Sequence, residues 1–242
     1  MSDMSSLNER NEKYSGADLK RIALISMTLD HFGALVIEPF LGLGPNLSLF
    51  DSKVFYIDIL YYVLRLIGRL AFMIYAHGLV EGFLHTRNRK RYLFLLGMFA
   101  LISQPFFSKA LRHTWWSFDY LNIFFTLTFG LLMLFVLERL KNQETWISYL
   151  IVLGFALISY LLNMDWNWLG IMMIAVLYHF REQPDYRNLG LILLGSLQIT
   201  APLAVLFINN YNGTRGRVSK YVHYVYYPLH LWIFSLIAQA LH

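Results

Sequence analysis

An apolar segment opens with Leu19-Lys-Arg-Ile-Ala-Leu-Ile-Ser-Met-Thr-Leu-Asp-His-Phe-Gly33 and continues to residue 41. A helix needs about 20 apolar residues to cross the hydrocarbon core of a bilayer, and this segment is long enough. His31 lies about 18 Å along the helix axis from Leu19, so Asp30 and His31 are at membrane depth. Ionisable side chains are costly there and face a cavity or a partner. The segment therefore predicts a membrane helix that borders a polar site.

The composition excludes an ordinary water-soluble domain. The chain has 242 residues, of which 57% are hydrophobic, 17% aromatic and only 14% charged. Soluble domains carry about 25% charged residues, so lipid is the expected outer solvent. The absence of cysteine excludes disulfides, thiolate nucleophiles and cysteine-ligated metals.

Apolar segments separated by short polar breaks recur along the chain. Their length exceeds that of membrane-barrel strands, and in lipid each must satisfy its own backbone hydrogen bonds, which selects helices. We predict an all-α, polytopic transmembrane helix bundle of about eight spanning helices around a polar cavity, although 92–107 and 166–180 are short for a crossing. Residues 1–18 form a polar cytoplasmic tail without the apolar core of a signal peptide, and residues 19–242 form a single transmembrane domain. The predicted spans are 19–41, 56–80, 92–107, 120–138, 145–163, 166–180, 187–208 and 221–241.

Lysine and arginine concentrate in the tail and in the breaks that follow the second, fourth and sixth spans. The positive-inside rule then makes the N-terminus cytoplasmic, and eight spans make the C-terminus cytoplasmic too. The basic loop Thr214–Lys220 conflicts with this topology, because it falls on the opposite side unless one span fails to cross.

Further ionisable side chains fall at membrane depth. Arg65 and Arg69 are four residues apart, which places both on one helix face, and Asp30 is expected to pair with one of them. Asn122 opens the fourth span, and His230 lies within the last one. Together these residues predict a polar cavity inside the bundle.

The residues alone leave the chemistry of this cavity open. The sequence has no phosphate-binding glycine loop and no nucleophile elbow, and its histidines lack metal-ligand spacing, so no metal is expected. A histidine suits general-base catalysis or covalent acyl transfer. Arginines suit a phosphate or a carboxylate. Structural ion pairing between Asp30 and an arginine explains the same residues without catalysis.

Five ordered motifs show that the chain resembles the TraX family, which is named for the membrane protein that acetylates conjugative F pilin. Met73 departs from the proline expected there, which concerns helix geometry rather than chemistry. The motifs are Leu19–Gly33, Leu64-Arg-Leu-Ile-Gly-Arg-Leu-Ala-Phe72, Val80-Glu-Gly-Phe-Leu-His-Thr-Arg-Asn-Arg-Lys90, Asn122-Ile-Phe-Phe-Thr-Leu127 and Tyr227-Pro-Leu-His230.

The resemblance implies an acetyltransferase that uses acetyl-CoA, with a remote likeness to transmembrane acyltransferases such as heparan-alpha-glucosaminide N-acetyltransferase. It implies that His31 is the catalytic base or acyl carrier and that Asp30 is a second catalytic residue. The cofactor-binding residues would be Arg65 and Arg69 in the cavity, Glu81 and His85 at its cytoplasmic mouth, and Arg87, Arg89 and Lys90 on the CoA phosphates. Asn122 and His230 would complete the cavity wall.

The resemblance also implies a location in the bacterial cytoplasmic (inner) membrane, in contact with lipid and without a nucleic-acid partner. The acceptor in the family's namesake is a pilin N-terminal amine, whereas for this chain a protein N-terminus, a glycan and a lipid headgroup all stay open. Two other classes of function remain. One is a proton- or anion-coupled transporter. The other is a non-catalytic membrane component of a conjugation or secretion system.

Overall fold

The computed structural model describes residues 13–40, 55–217 and 219–241. These residues form helices and no extended strand, which confirms the all-α class. Most of the predicted tail, residues 1–12, lies outside the described residues. The helices are α1 (Gly16–Phe32, continued by a π-helical turn Gly33–Ile37 and by Glu38–Phe40), α2 (Phe55–Gly68), α3 (Leu70–His85), α4 (Arg89–Arg112), α5 (Ile123–Arg139), α6 (Thr145–Leu161), α7 (Asn167–His179), α8 (Pro184–Gly195), α9 (Ala204–Ile208) and α10 (Lys220–Leu241).

The first helix begins at Gly16 because Ser15 caps it. The Ser15 side chain accepts a hydrogen bond from the Asp18 backbone amide, and the Asp18 carboxylate accepts one from the Ser15 amide. This reciprocal capping box satisfies amides that a helix start otherwise leaves unpaired. The predicted span at Leu19 therefore starts inside a helix that is already formed.

The basic loop before α10 lies at the same end of the molecule as the start of α1. The amide of Tyr14 donates to the carbonyl of Asn210 at 2.9 Å, and the amide of Gly16 donates to that of Thr214 at 2.7 Å. The eight-span prediction, which put this loop at the opposite end, is wrong on this point.

The reason is that the predicted span 187–208 forms a hairpin. Helix α8 ends at Gly195, two 3-10 turns (Ser196–Gln198 and Ala201–Leu203) reverse the chain, and α9 leads back. Arg187 Nη2 donates to Asn209 Oδ1 at 2.6 Å, which closes the base of the hairpin. At its tip the Thr200 hydroxyl donates to the carbonyl of Leu66, which connects the turn to α2.

Helix α10 consequently runs parallel to α1. Along both helices in the same order, Thr28 contacts Tyr226, His31 contacts His230 and Phe32 contacts Phe234. The end of α10 therefore lies opposite the start of α1. The prediction that both termini share one side is wrong.

The helix lengths differ from the predicted spans. The segment 92–107 belongs to the 24-residue helix α4, which is the described helix with the length and apolar character to cross a membrane. The apolar helices α6 and α7 are shorter, and the predicted span 56–80 is divided between α2 and α3 at Arg69. The polytopic bundle therefore stays a prediction.

The core is built on α3 and α7. Met73, Ile171 and Ile174 are fully buried there. Met73 also packs where α8 ends, because a Cβ on Gly195 would lie 3.0 Å from its terminal methyl group. The residue that departs from the family pattern thus fills the contact between α3 and the hairpin.

Candidate functional site

An internal cavity of about 590 Å³ runs along α1. Lys20 and His223 lie at the end near the start of α1, which we call the Lys20 end. Asp30 and His31 lie further along the helix, at what we call the Asp30 end. The Asp30 end also contains Arg65, Arg69, Tyr120, Asp165 and Gln198, and the wall between the two ends is formed by Phe72, Leu79, Leu96, Phe124, Leu127, Tyr224 and Tyr227.

Two glycines allow α1 to approach α2 closely beside Asp30. A Cβ on Gly33 would lie 3.3 Å from Leu64 Cβ, and a Cβ on Gly68 would lie only 2.1 Å from Asp30 Cβ. Any larger residue at position 68 would displace Asp30. Gly68 also precedes the helix break at Arg69, so the close approach and the break occur together.

This approach pairs Asp30 with Arg65. The Arg65 Nη1 atom lies 2.9 Å from Asp30 Oδ1, although the angle is poor for a hydrogen bond to that oxygen, so the contact is best described as an ion pair. The predicted pairing of Asp30 with an arginine is confirmed. Asp30 therefore compensates a guanidinium charge in the cavity, and Arg69 lines the same cavity from the helix break.

His31 and His230 form a hydrogen-bonded pair between α1 and α10. His31 Nδ1 lies 2.7 Å from His230 Nε2, and the two rings stack with centroids 4.9 Å apart. The other nitrogen of His230, Nδ1, lies 2.8 Å from the backbone carbonyl of Tyr226. His230 thus supports His31 and is not among the residues that line the cavity, in contrast to the predicted wall position.

These contacts fix the tautomers of the neutral rings. A carbonyl only accepts, so Nδ1 of His230 carries a hydrogen and its Nε2 is the acceptor. His31 must then donate from Nδ1, which leaves the lone pair of His31 on Nε2. His31 also lines the cavity, so the free lone pair of this histidine pair belongs to a cavity residue.

A second polar contact holds α10 against α1 one helical turn earlier. The Thr28 hydroxyl lies 2.7 Å from the Tyr226 hydroxyl, and it donates to the Leu24 carbonyl at 2.7 Å. Thr28 therefore accepts from Tyr226, whose ring also stacks on His230. Neither Thr28 nor Tyr226 was predicted, because hydroxyls are common on membrane helices and carry little sequence signal.

Asp165 is a cavity residue that sequence reasoning missed. It lies in the short connection between α6 and α7, so the sequence indicates only a loop residue at this position. The Tyr120 hydroxyl donates to its Oδ1 at 3.1 Å. Burial raises the pKa of Asp165 to about 6, and the nearby charge of Asp30 acts in the same direction, while the hydrogen bond from Tyr120 opposes the shift.

The connection that carries Asp165 has an unusual backbone. Asn163, Trp166 and Asn167 adopt positive φ angles of 51°, 58° and 26°. Such conformations cost free energy in residues with side chains and persist where the surroundings enforce them. Here the Thr126 hydroxyl donates to the Asp165 carbonyl, and Trp166 stacks on Phe72 with ring centroids 4.5 Å apart.

The residues predicted to bind CoA at a cytoplasmic mouth do not line the cavity. Glu81 Oε2 lies 3.6 Å from His85 Nδ1, and Glu81 is half-buried whereas His85 is exposed. Arg89 donates to the Phe83 carbonyl at 2.9 Å and lies over the Phe83 ring. Arg87 and Lys90 are exposed. The structure thus separates this group from the cavity, whereas Lys20, interpreted from the sequence only as a topology signal, lies in it.

Asn122 is also absent from the cavity wall. It is buried and caps α5 by accepting from the Phe124 amide at 3.0 Å. Its amide nitrogen donates to the Ala100 carbonyl and to Gln104 Oε1, both at 2.8 Å. The two bonds from its amide nitrogen connect α5 to α4, so Asn122 acts on the helix arrangement.

The fold and the site define an all-helical protein with a polar cavity beside a hydrogen-bonded histidine pair, and the comparisons with known proteins narrow this class to one family. The TraX protein family matches residues 15–238, which include every site residue described above. The chain is 30% identical over 257 residues to the "Probable fimbrial assembly protein FimC, serogroup H1" of Dichelobacter nodosus, covering 92% of this chain and 95% of that relative. No solved structure matches significantly. This chain belongs to the TraX family, as the motifs predicted.

Proposed function

We propose that this protein is a multi-pass acetyltransferase of the bacterial inner membrane that moves an acetyl group from acetyl-CoA to an acceptor amine or hydroxyl during fimbrial assembly. The observation that carries the proposal is the His31–His230 pair, which leaves the lone pair on Nε2 of a histidine that lines a cavity of about 590 Å³. The family membership and the printed name of the relative support the biological setting.

The surface of α6 supports the membrane part of the proposal. Leu150, Leu153, Leu157 and Leu161 are each more than half exposed and follow one another along the helix. Soluble monomers rarely expose a contiguous apolar patch of this kind, whereas lipid accepts it. The charged groups of the Asp30 end meanwhile line a cavity between the helices and are half-buried there.

The chemistry follows from His31 Nε2. In direct transfer this atom takes the proton of the acceptor as the acceptor attacks the thioester carbon, and the C–S bond breaks to release the CoA thiolate, which then gains that proton. In covalent transfer Nε2 itself attacks the thioester carbon, and the C–S bond breaks to release the thiolate. The acceptor later attacks the acetyl carbon, the C–N bond to the ring breaks, and the proton of the acceptor passes to the freed Nε2 and then to the thiolate. In both cases His230 accepts the hydrogen bond from Nδ1 and stabilises the developing imidazolium.

Arg65 and Arg69 would act on the thioester of the acyl donor. Negative charge develops on the thioester oxygen as the carbonyl carbon becomes tetrahedral, and fixed cations in an enclosed site stabilise that charge. Arg65 is held by Asp30, and Arg69 lines the cavity at the neighbouring helix break. The name of the relative favours a fimbrial subunit as the acceptor.

The test uses purified protein in detergent with acetyl-CoA and peptides that carry the N-terminus of a fimbrial subunit from the same organism. We expect saturable donor binding and acetylated peptide by mass spectrometry, and an acetyl adduct on His31 if transfer is covalent. Absence of donor binding by folded protein would contradict the proposal.

A transporter is the second candidate, because one cavity contains charged groups at both of its ends. Such groups also line proton and anion pathways. Ion flux in proteoliposomes without any acyl donor would favour this candidate. If the protein shows no ion flux and binds no acyl donor, the result would favour a non-catalytic assembly component.

A further inference from the structure

The Lys20 end of the cavity contains a cation without an acidic partner. Lys20 is partly buried, and it forms no salt bridge within the described residues. It lies against α3 where Gly78 leaves space, since a Cβ there would be 4.0 Å from Lys20 Cε. Arg215 is close enough to act on Lys20 electrostatically, which adds to the positive potential.

His223 adds unsatisfied hydrogen-bonding capacity to the same end. Both of its ring nitrogens are buried, and neither has a hydrogen-bond partner in the described part of the chain. Buried polar atoms are nearly always paired in folded proteins, so two unpaired nitrogens at a cavity surface indicate a ligand site. A histidine beside a lysine and an arginine is suited to an anion with several acceptor oxygens.

Lys20 is also aligned with the catalytic end of the cavity. His31 lies three turns further along α1, about 17 Å away and only about 20° around the axis, so the two side chains share one helix face. Between them the wall is mainly apolar and aromatic. This separation is about the length of an extended pantetheine arm between its thioester and its phosphate.

We propose that Lys20 and His223 bind the phosphate of a phosphopantetheine thioester whose acyl group reaches His31. This inference rests on the proposed acetyltransferase function and identifies where its donor is anchored. It replaces the run Arg87–Lys90, which lies outside the cavity, as the phosphate site. The shared chemistry, a pantetheine arm with a terminal phosphate, occurs both in CoA and on acyl carrier proteins.

The test compares three donors on the purified protein: acetyl-CoA, acetyl-phosphopantetheine and acetyl-pantetheine, which lacks the phosphate. We expect the wild type to bind the two phosphorylated donors roughly tenfold or more tightly than acetyl-pantetheine, as for a hydrogen bond to a charged group. Lys20→Ala should abolish this preference without weakening acetyl-pantetheine binding. His223→Ala should reduce the preference, and Lys20→Arg should largely retain it.

Arg139→Ala is the matched control, because Arg139 is an exposed cation at the same end of the bundle and lies outside the cavity. It should leave all three affinities unchanged. A Lys20→Ala variant that elutes and unfolds like the wild type but keeps the phosphate preference would overturn the inference. If the wild type binds none of the donors, the proposed function itself fails, so the two failures are distinguishable.

The same titration identifies the source of the arm. Tighter binding of acetyl-CoA than of acetyl-phosphopantetheine would show that the nucleotide is recognised as well, which identifies CoA. Equal binding would point to an acyl carrier protein, to be tested as acetylated carrier. Either result requires the preference for phosphate over acetyl-pantetheine and therefore supports the site.

Discussion

The two ends of the cavity differ in how their polar side chains are held. At the Asp30 end, Asp30 pairs with Arg65, His31 with His230, and Asp165 with Tyr120. At the Lys20 end, His223 has no hydrogen-bond partner among the described residues. Groups held by protein partners keep their geometry without a ligand, which suits reaction chemistry. Groups without such partners gain most from a ligand, which suits recognition.

The largest effect is expected when the basic nitrogen of His31 is removed. His31→Ala should lower acetyl transfer by at least about a hundredfold, the usual contribution of a general base. Donor affinity should change little, since the proposed phosphate site is at the other end of the cavity. Transfer rates and donor dissociation constants measured on the same preparation test the expected loss of transfer and the expected constancy of donor affinity. Full turnover by folded His31→Ala protein would eliminate the catalytic role.

The second change removes the hydrogen-bond partner of His31 and leaves His31 unchanged. His230→Ala deletes the acceptor that holds Nδ1–H, so His31 loses its fixed tautomer and ring orientation. We expect kcat to fall by roughly tenfold to a hundredfold, with KM for the donor nearly constant. His230→Gln, which retains an acceptor, should recover part of the rate. An equal change in KM would indicate a merely structural role.

The third change acts on the close helix approach at the Asp30 end. Gly68→Ala places a methyl group where Asp30 lies and should destabilise the protein by about 1–3 kcal/mol, as overpacking does. Gly154→Ala is the control, because a Cβ there meets nothing within 4 Å. That control should be neutral or slightly stabilising, by up to about 1 kcal/mol of helix propensity. Thermal unfolding followed by tryptophan fluorescence measures both variants.

The smallest effect is expected outside the cavity. Arg87→Ala and Lys90→Ala remove exposed charges and should change acetyl-CoA affinity by less than about twofold, because solvent screens such positions. Comparison with Lys20→Ala in the same assay sharpens the contrast between a cavity cation and a surface cation. A large loss in Arg87→Ala would return the phosphate site to the basic run.

Part of this structure was predictable from local sequence. The all-α class follows from apolar segment length, and the pairing of Asp30 with an arginine follows from the cost of buried charge. Both rules act within one segment or between two strongly coupled charges. The resemblance likewise located His31, since its motif is contiguous.

The remainder depends on long-range arrangement. His230 was placed in the wall, but its partner lies 199 positions away in sequence, and nothing local indicates which ring nitrogen meets which. Asp165 was not predicted as a site residue, because polar residues are common in connections between helices and the sequence does not show that this one is buried. The cluster Arg87–Lys90 was predicted to bind the phosphates because it is rich in charge. Lys20 adds only a single charge, but it lies in the cavity.

The hairpin formed by α8 and α9 was missed for a related reason. Its segment is apolar and long enough to be predicted as a span, but the turns at Ser196–Gln198 and Ala201–Leu203 reverse it inside the bundle. Hydropathy records how apolar a segment is and contains no information on the direction in which the chain leaves it.

This reversal has a consequence for how the protein sits in a cell. A hairpin that returns to its own side changes the parity of the crossings, so residue 16 and residue 241 face different compartments in the proposed membrane. A fluorescent protein that matures only in the cytoplasm should stay dark when fused after residue 241, while a periplasmic phosphatase at the same point should be active. In the proposed topology, the start of α1 and the end of α10 therefore lie on different sides of the bilayer, and the proposed acyl donor approaches from the side of α1.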